Sequence, residues 1–311
     1  MISDGQVSSD GMTSRPTNRP APAVDVDTAP PRDWDDLLDA APAAEYSHTA
    51  HWLAAAGRHL PGTTPRYWTV RMDGRLVGGL AAAVRRGEGW PPRGRQESSL
   101  EGTSGGPVIA DDLPHAQQEE VFTALIGAYG SGLRAGLDTC GLDSCALVLA
   151  PASETRFGPL MSGLAGWLRQ DAPTAAVSLE GGFEHVEFHR IGKNKRNERN
   201  RGMRRGLEVR ITRDPDLLAA YHPLHLAASR VWGTPPTPLE FLQDVLADPG
   251  DGVFFSCALL EGRVVGGHLC LHRGDRVLAW HGVTDPAVSR SHFPATVLVC
   301  ADLEEACRRG A

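Results

Sequence analysis

The chain has 311 residues, of which 41% are hydrophobic, and a formal net charge of −7 at pH 7. This length allows two domains of roughly 130 to 150 residues each. The sequence has no basic leader followed by an apolar stretch and no uninterrupted run of roughly 18 apolar residues, which predicts a cytoplasmic protein without a membrane span. The acidic net charge argues against a nucleic-acid partner unless positive charge is concentrated in one segment.

The first predicted elements follow an N-terminal segment, residues 1–30, whose Ser, Thr, Pro, Asp and Gly content predicts a disordered tail. Apolar residues from Trp34 onward have helical spacing, and two apolar strands flank the turn Asp73-Gly74-Arg75, which predicts a β-hairpin. The elements predicted next are a glycine-rich loop at 103–107, a helix near 117–129, a strand at 145–149 and a helix near 160–169.

The hairpin sequence occurs twice. Asp73 to Gly79 is echoed by Glu261 to Gly267, 188 residues later, and both copies follow an aromatic-rich strand. Coincidence is the alternative, because an acidic-Gly-Arg turn between apolar strands is common, but a repeat at one-domain spacing is typical of a duplicated fold. After the second copy we predict a strand at 277–281 and a helix from Pro294 to Arg308, with proline at the first helical position.

The six cysteines occur singly in apolar stretches, which predicts core thiols and neither disulfides nor a metal site. They are Cys140, Cys145, Cys257, Cys270, Cys300 and Cys307. No G-x-S-x-G sequence is present, so no covalent nucleophile is predicted.

Positive charge is concentrated between Arg190 and Arg213, a segment with a net charge of +8. It contains the only two lysines, Lys193 and Lys195, and a helix there would be polar on nearly every side. One interpretation is a solvated helix between domains. The other is a surface for phosphates, either those of a tRNA acceptor stem or a diphosphate on the acceptor substrate.

Several motifs occur in a characteristic order. The D-G-R-L-V-G-G hairpin at 73–79 precedes S-G-G-P at Ser104–Pro107, and the basic stretch 193–206 leads into a strand at 207–211. The segment 229–238 has an R-x-G-x-P character and is followed by Phe241-Leu242 on a predicted helix. In this order the motifs resemble the Fem aminoacyltransferases of the Gcn5-related N-acetyltransferase (GNAT) superfamily.

The resemblance covers roughly residues 30 to 311 and implies an α/β (α+β) fold of two tandem GNAT-like domains, with mixed sheets flanked by helices. The implied boundaries are an N-terminal domain at 31–180, a basic connecting helix and strand at 181–210, and a C-terminal domain at 211–311. Because members of the family normally continue with another strand, a helix and a hairpin, the second domain is expected to be shortened at its C-terminus.

The implied activity is aminoacyl-tRNA-dependent amide formation between a tRNA-borne amino acid and the amine of a small peptide-like acceptor. The resemblance implies charged tRNA as the donor and no bound cofactor. Both peptidoglycan-bridge and antibiotic-tailoring enzymes fit, and the arginine-rich composition and short C-terminus favour the tailoring type, similar to the pacidamycin alanyltransferase.

Two alternatives remain. One is an acetyl-CoA-dependent N-acyltransferase, although enzymes of that branch carry Q/R-x-x-G-x-G/A before the pyrophosphate-binding helix, whereas residues 289–294 contain no glycine. The other is a non-catalytic RNA- or phosphate-binding module.

In GNAT folds the reacting carbonyl lies where two parallel strands splay apart, and by resemblance one of these strands is Val277 to Val283. This implies catalytic roles for Trp280 and His281, with His281 suited by its ordinary pKa to accept a proton from an amine, and His268 is a further candidate. The candidates for substrate binding are Arg230, Trp232 and His292. The candidates for tRNA or phosphate binding are Lys193, Lys195, Arg196, Arg199, Arg204, Arg205 and Arg290.

Overall fold

The computed structural model describes residues 21–87, 94–139 and 142–311, and its strands form two sheets. The strands of the first sheet are β1 (Val24–Asp27), β2 (Thr63–Met72), β3 (Arg75–Arg86), β4 (Gly94–Glu97), β5 (Pro107–Ile109) and β6 (Leu142–Ala146). Their order is β1-β2-β3-β4-β6, with β5 also paired to β3. β4 and β6 are parallel, and the other pairs are antiparallel. The helices of this half are α1 (Trp34–Ala40), α2 (Ala50–His59), α3 (His115–Thr139) and α4 (Pro151–Gly163).

The second sheet is antiparallel throughout, in the order β10-β9-β8-β7. Its strands are β7 (Leu207–Thr212), β8 (Val253–Leu260), β9 (Arg263–Arg273) and β10 (Arg276–Thr284). The helices of this half are α5 (Gly182–His189), α6 (Lys193–Arg204), α7 (Pro215–Trp232), α8 (Leu239–Leu246), α9 (Pro286–His292) and α10 (Pro294–Arg308).

The repeated sequence forms the same hairpin in both halves. Asp73 and Gly74 have φ of 51° and 81°, and Glu261 and Gly262 have φ of 52° and 76°. Two consecutive positive φ values define the tight turn whose twist matches that of the flanking strands. In each hairpin the strand register also shifts after the second residue pair from the turn, which leaves Val77 and Val265 as the extra, bulged residues. The repetition therefore extends from the sequence to a duplicated bulge.

One large apolar cluster joins the inner faces of the two sheets. It includes Trp34, Trp52 and Tyr67 from the first half and Tyr221 and Phe241 from the second. Separate clusters cover the other face of each sheet, under α3 and α4 in the first half and under α10 in the second. Because burial of apolar surface is the main driving force of folding, the shared cluster holds the sheets together.

Most elements follow the sequence-based predictions. Both hairpins, the basic helix with its following strand, and the helix from Pro294 to Arg308 are confirmed. Two boundaries were wrong: β6 ends at Ala146 instead of residue 149, and the next helix spans Pro151–Gly163 instead of 160–169. Pro151 lies at the first turn of that helix, where its missing N–H costs nothing, so the helix begins earlier than the apolar spacing suggested.

The prediction of a disordered tail over residues 1–30 is wrong in part. Val24–Asp27 form β1, which pairs with residues 67–70 of β2. An edge strand gains main-chain hydrogen bonds from its neighbour even where its own side chains are polar, and composition does not reveal that neighbour. Residues 1–20 lie outside the described part of the chain.

The cysteine prediction is confirmed for Cys257, Cys270 and Cys300, which are buried as free thiols. Cys145 and Cys307 are half-buried free thiols, and Cys140 lies outside the described residues. Among the described helices, none is long and apolar enough to cross a membrane.

Candidate functional site

Helix α7 presents a row of polar side chains to the core. The helix begins at Pro215. Asp214 caps its N-terminus, since the Asp214 carboxylate accepts a hydrogen bond from the Asp216 N–H at 2.9 Å. Tyr221, His225 and Ser229 are spaced by four residues and therefore lie on one face, and all three are buried. A polar stripe on the buried face of a helix has to find its partners inside the protein.

Strand β10 meets this stripe at a β-bulge. Ala279 pairs with Cys270 and His281 pairs with Leu269, so Trp280 is the extra residue. The bulge turns both Trp280 and His281 toward the shared core, whereas a regular strand would alternate them. The Trp280 ring packs edge-on against Trp52 at a centroid distance of 4.9 Å. The predicted catalytic Trp280 thus has a packing role between the two halves.

His281 and His225 form a buried pair. His281 Nδ1 lies 3.1 Å from the Tyr221 hydroxyl, and His225 Nε2 accepts a hydrogen bond from the Thr237 backbone N–H at 2.9 Å. The two ring centroids are 4.2 Å apart. The other ring nitrogens, His281 Nε2 and His225 Nδ1, are buried without a hydrogen-bond partner among the described residues.

Burial holds both imidazoles in the neutral form. It lowers the pKa of His281 to about 3, with a smaller contribution from the positive charge that His225 would carry. Burial also lowers the pKa of His225. This corrects the expectation of an ordinary pKa at His281: the ring is neutral at physiological pH, and an imidazolium there is strongly disfavoured.

The first half of the chain supplies one wall of the site. The Trp280 indole N–H donates to the Glu101 carbonyl at 2.7 Å, and the Thr237 hydroxyl donates to the Glu101 carboxylate at 3.4 Å. Glu101 has a φ of 51°, a conformation that non-glycine residues adopt at a cost and that is enriched at functional sites. The histidine pair therefore lies where the two halves meet.

A surface pocket of about 370 Å³ opens at the end of α7 beside the pair. Its lining includes Ser229, whose hydroxyl lies 3.4 Å from His225 Nε2, and the predicted substrate residue Arg230. Trp232, another predicted substrate residue, is 57% exposed near the same end of the helix. Their substrate-binding roles stay predictions.

His268 lies on the opposite face of the sheet from His281. It pairs with Gly282, one position beyond the residue that His281 occupies in the register, and its Nδ1 contacts the Asp302 carboxylate at 2.6 Å. Asp302 is buried on α10 and orients the ring. The structure therefore does not bring His268 together with His281, because neighbouring strand residues alternate between faces.

The splayed parallel strands expected beside Val277 to Val283 are not formed there. Within the described residues, β10 pairs only with β9, and this pair is antiparallel. The parallel pair is β4 with β6 in the first half, continued by a parallel bridge between Gly105 and Leu149. Parallel pairing thus occurs in the first half, and β10 forms an edge of the second sheet.

Two of the predicted phosphate-binding arginines also have structural contacts. Arg196 donates from Nη1 to the carbonyls of Glu187, Phe188 and Ile191 at the end of α5, at 3.0, 3.0 and 2.6 Å. Arg199 donates to the Glu187 carboxylate at 2.7 Å. Through these contacts of their Nη1 atoms, both residues dock α5 on α6, and their phosphate-binding roles stay predictions.

The remaining predicted cations lie near the surface where α6 packs on α9. Lys195 is paired with the Glu198 carboxylate at 2.8 Å, and Arg205 donates to the Ser291 carbonyl. We define the basic surface by those exposed cations of the two helices and of the turn between α6 and β7 that make no ion pair within the described residues. Its members are Lys193, Arg201, Arg204, Arg205 and Arg290.

Residues 289–294, expected as a loop, instead form the end of α9 and the first residue of α10. Phe293 joins the two helices with a φ of 55°. A Cβ at Gly202 of α6 would clash with the His292 carbonyl, so α6 lies directly against this junction. The His292 imidazole, a predicted substrate contact, lies 2.9 Å from the Ser291 hydroxyl.

Several residues of the site were missed by the sequence analysis, namely Tyr221, His225, Thr237 and Glu101. The spacing of Tyr221, His225 and Ser229 on an otherwise amphipathic helix was a usable signal for the first two. Nothing local marks Glu101 and Thr237, because their contacts join positions 136 residues apart.

Comparisons with known proteins agree with this architecture. Residues 189–311 match the family described as Acetyltransferase (GNAT) domain, and no curated protein sequence matches the chain. The structure of FemX is similar with a TM-score of 0.62 and 11% identity, over 92% of this chain and 87% of that one.

Two further solved structures resemble the chain. A conserved protein of unknown function from Bacteroides thetaiotaomicron has a TM-score of 0.52 and 12% identity, over 93% of this chain and 88% of that one. A tandem GNAT protein from the clavulanic acid biosynthesis pathway has 14% identity over 93% of this chain and 87% of that one, and its TM-score of 0.47 is too low to bear on the fold. The chain therefore has a mixed α/β fold similar to that of FemX, and its residues 189–311 match a GNAT acetyltransferase-domain family.

Proposed function

We propose that the protein is an aminoacyl-tRNA-dependent transferase that forms an amide between the carried amino acid and the amine of a small peptide-like acceptor. The observation that carries the proposal is the FemX-like fold over 92% of the chain. The motifs that resemble the Fem aminoacyltransferases support it, since the hairpin repeat and the basic helix lie in that fold as the resemblance implies.

The reaction needs no covalent enzyme intermediate. The neutral amine attacks the ester carbonyl, a C–N bond forms, the ester C–O bond to the terminal ribose breaks, and the amine proton leaves while the ribose oxygen takes one up. The protein has to orient the two substrates and stabilise the oxyanion. The partly buried contact between Glu101 and Thr237, one from each half, supports a polar site between the halves.

The donor tRNA is proposed to contact the basic surface. Lys193, Arg204 and Arg290 are exposed and make no ion pair among the described residues. Unpaired cations on two adjacent helices attract a phosphate backbone and make its binding depend on salt. The acidic charge of the rest of the chain would direct the RNA to this surface.

The alternative donor is acetyl-CoA, which the match of residues 189–311 to a GNAT acetyltransferase domain favours. The start of α10 argues against it. A pyrophosphate binds to free backbone N–H groups at a helix N-terminus, but here α6 packs against the His292 carbonyl, and the Glu198 carboxylate accepts from the Thr296 hydroxyl at 2.7 Å. The carboxylate would repel a pyrophosphate.

The test is incubation of the full chain with bulk tRNA charged with labelled amino acids and a peptide amine acceptor, with and without ribonuclease. We expect an amide product that ribonuclease abolishes, and its label identifies the amino acid. A product that forms only with acetyl-CoA, together with tight binding of acetyl-CoA in calorimetry, would overturn the proposal in favour of the alternative donor.

A further inference from the structure

The histidine pair leaves two buried ring nitrogens without partners, and their protonation follows from the partners of the other two nitrogens. His225 Nε2 accepts from a backbone N–H, that of Thr237 at 2.9 Å. A neutral imidazole carries one proton, so in His225 it lies on Nδ1. The unpartnered Nδ1 of His225 is therefore a hydrogen-bond donor.

The position of the proton on His281 likewise follows from the partner of its other ring nitrogen. The Tyr221 hydroxyl is buried, and the one side-chain partner described for it is His281 Nδ1, at 3.1 Å. The phenol hydrogen is satisfied only if Tyr221 donates to that nitrogen, because a proton on Nδ1 would leave the hydroxyl without an acceptor. The proton of His281 therefore lies on Nε2, and this unpartnered nitrogen is also a donor.

Two unpartnered donors on rings 4.2 Å apart require an acceptor, because a buried N–H without one costs about 1–3 kcal/mol. A metal ion does not fit, since both nitrogens present protons and no lone pairs. In agreement, the described residues contain no group of three or more potential metal ligands. Because the ring centroids are only 4.2 Å apart, we take a single oxygen atom as the common acceptor for both N–H groups.

We infer that His225 and His281 form a two-donor site for the carbonyl oxygen of the transferred acyl group. This inference rests on the proposed transferase function and adds the residues that hold the reacting carbonyl. Donors that are fixed before the reaction stabilise the negative charge that develops on that oxygen. Neutral imidazoles suit this role because neither proton is given up during the reaction.

The hydrogen bonds around the pair hold both rings in place, and a surface pocket lies at the end of α7. Tyr221 fixes His281, the Thr237 backbone fixes His225, and the His222 ring donates from Nε2 to the Thr237 carbonyl at 3.0 Å. The surface pocket at the end of α7 is lined in part by Ser229, whose hydroxyl lies 3.4 Å from His225 Nε2.

The first experiment uses the full chain labelled with ¹⁵N-histidine. Ring nitrogen shifts are expected to show a proton on Nδ1 of His225 and on Nε2 of His281, with assignments from single His→Gln variants. The reverse tautomer at either position would overturn the inference without any assay of activity.

The second experiment titrates two stable carbonyl probes into the same sample. One is 3′-alanylamido-3′-deoxyadenosine, an amide analogue of the charged tRNA terminus, and the other is acetonyl-CoA, a ketone analogue of acetyl-CoA. We expect the nucleoside probe to shift both N–H proton resonances and to leave that of His222 in place. If both proton resonances respond only to acetonyl-CoA, the two-donor site stands and the tRNA donor fails. If neither probe moves them, the two-donor site is wrong and the pair holds a structural water.

Kinetics separates a donor role from a structural one. In His281→Met the N–H is lost, and kcat is expected to fall about 10²-fold. In His281→Gln the side-chain amide places an N–H near the position of Nε2, and kcat should recover at least tenfold relative to the methionine variant. Equal kcat in the two variants, at matched thermal stability, would contradict the inference.

Discussion

The two halves of the chain bury histidines in different ways. In the first half, His48 Nδ1 accepts from the Glu45 N–H at 3.0 Å, and its Nε2 contacts the Gly106 carbonyl at 3.2 Å. Both ring nitrogens of His48 are therefore satisfied by backbone. In the second half, His225 and His281 each leave one buried nitrogen unsatisfied. Burial is therefore common to both kinds of histidine, and the unsatisfied nitrogens are what distinguish the pair in the proposed site.

The largest expected effect on stability comes from replacing His48, whose two ring nitrogens are both hydrogen-bonded. The variant His48→Leu removes the side-chain partner of a half-buried N–H at Glu45 and of a buried carbonyl at Gly106, which should cost about 2–5 kcal/mol of unfolding free energy. Urea denaturation at pH 7 measures it. The matched variant His281→Leu should cost less, because it also removes an unsatisfied nitrogen. A larger cost for His281→Leu would contradict the comparison.

The pH dependence of stability tests whether the buried histidines of the two halves are held in the neutral form. The folded-state pKa of His281 is about 3 against an ordinary value of 6.5, so the unfolded chain binds the proton more readily between these values. Stability is fully present above pH 6.5 and decreases as the pH falls toward 3. At pH 5 the loss attributable to His281 is about 2 kcal/mol.

Urea denaturation at pH 7 and pH 5 measures this loss, and His281→Gln should reduce the difference between the two pH values by that amount. Burial also lowers the pKa of His48, so His48→Gln should reduce the difference as well. An unchanged pH dependence in both variants would show that neither ring is held neutral by the fold.

The two hairpin turns test where the halves are alike. Gly74 and Gly262 both have positive φ and open space around the position of a Cβ. Alanine at either site should therefore cost only the backbone strain, about 1–2 kcal/mol. Thermal denaturation of Gly74→Ala and Gly262→Ala should give similar losses. Markedly unequal losses would mean that the two turns contribute differently to the stability of the fold.

The smallest effect on stability is expected at the basic surface. Replacement of Lys193, Arg204 and Arg290 by alanine should leave unfolding within about 0.5 kcal/mol, because exposed substitutions usually do. The same variant should weaken tRNA-dependent activity and flatten its salt dependence. The control is Arg196→Ala, which should lose stability through three backbone carbonyls. An unchanged salt slope in the triple variant would remove the phosphate assignment.

The sequence was sufficient to predict the elements with strong local signals. The acidic-Gly turns, the basic helix and the Pro294–Arg308 helix are each specified by a few neighbouring residues, through backbone conformation, apolar spacing or the position of a proline. The repetition at a spacing of 188 residues also indicated the duplicated hairpin before its bulges were seen.

The site was predictable only in part. The sequence drew attention to His281, but it did not indicate the bulge that turns Trp280 and His281 to one face, or the pKa of about 3. It also gave no indication that the position of α5 provides three carbonyls for the Arg196 guanidinium. A basic side chain has the same local sequence signal whether its partner is a solvated phosphate or a buried carbonyl.

What the sequence determined by itself is thus the local backbone, because turns, caps and amphipathic helices depend on residues a few positions apart. Which polar groups come into contact depends on the tertiary structure. Glu101 contacts Thr237 across 136 residues, His225 lies against His281, and Val24–Asp27 becomes a strand on β2. Such partners are fixed by the packing of distant elements, and a buried polar group depends on its partners for both its protonation and its energetic cost.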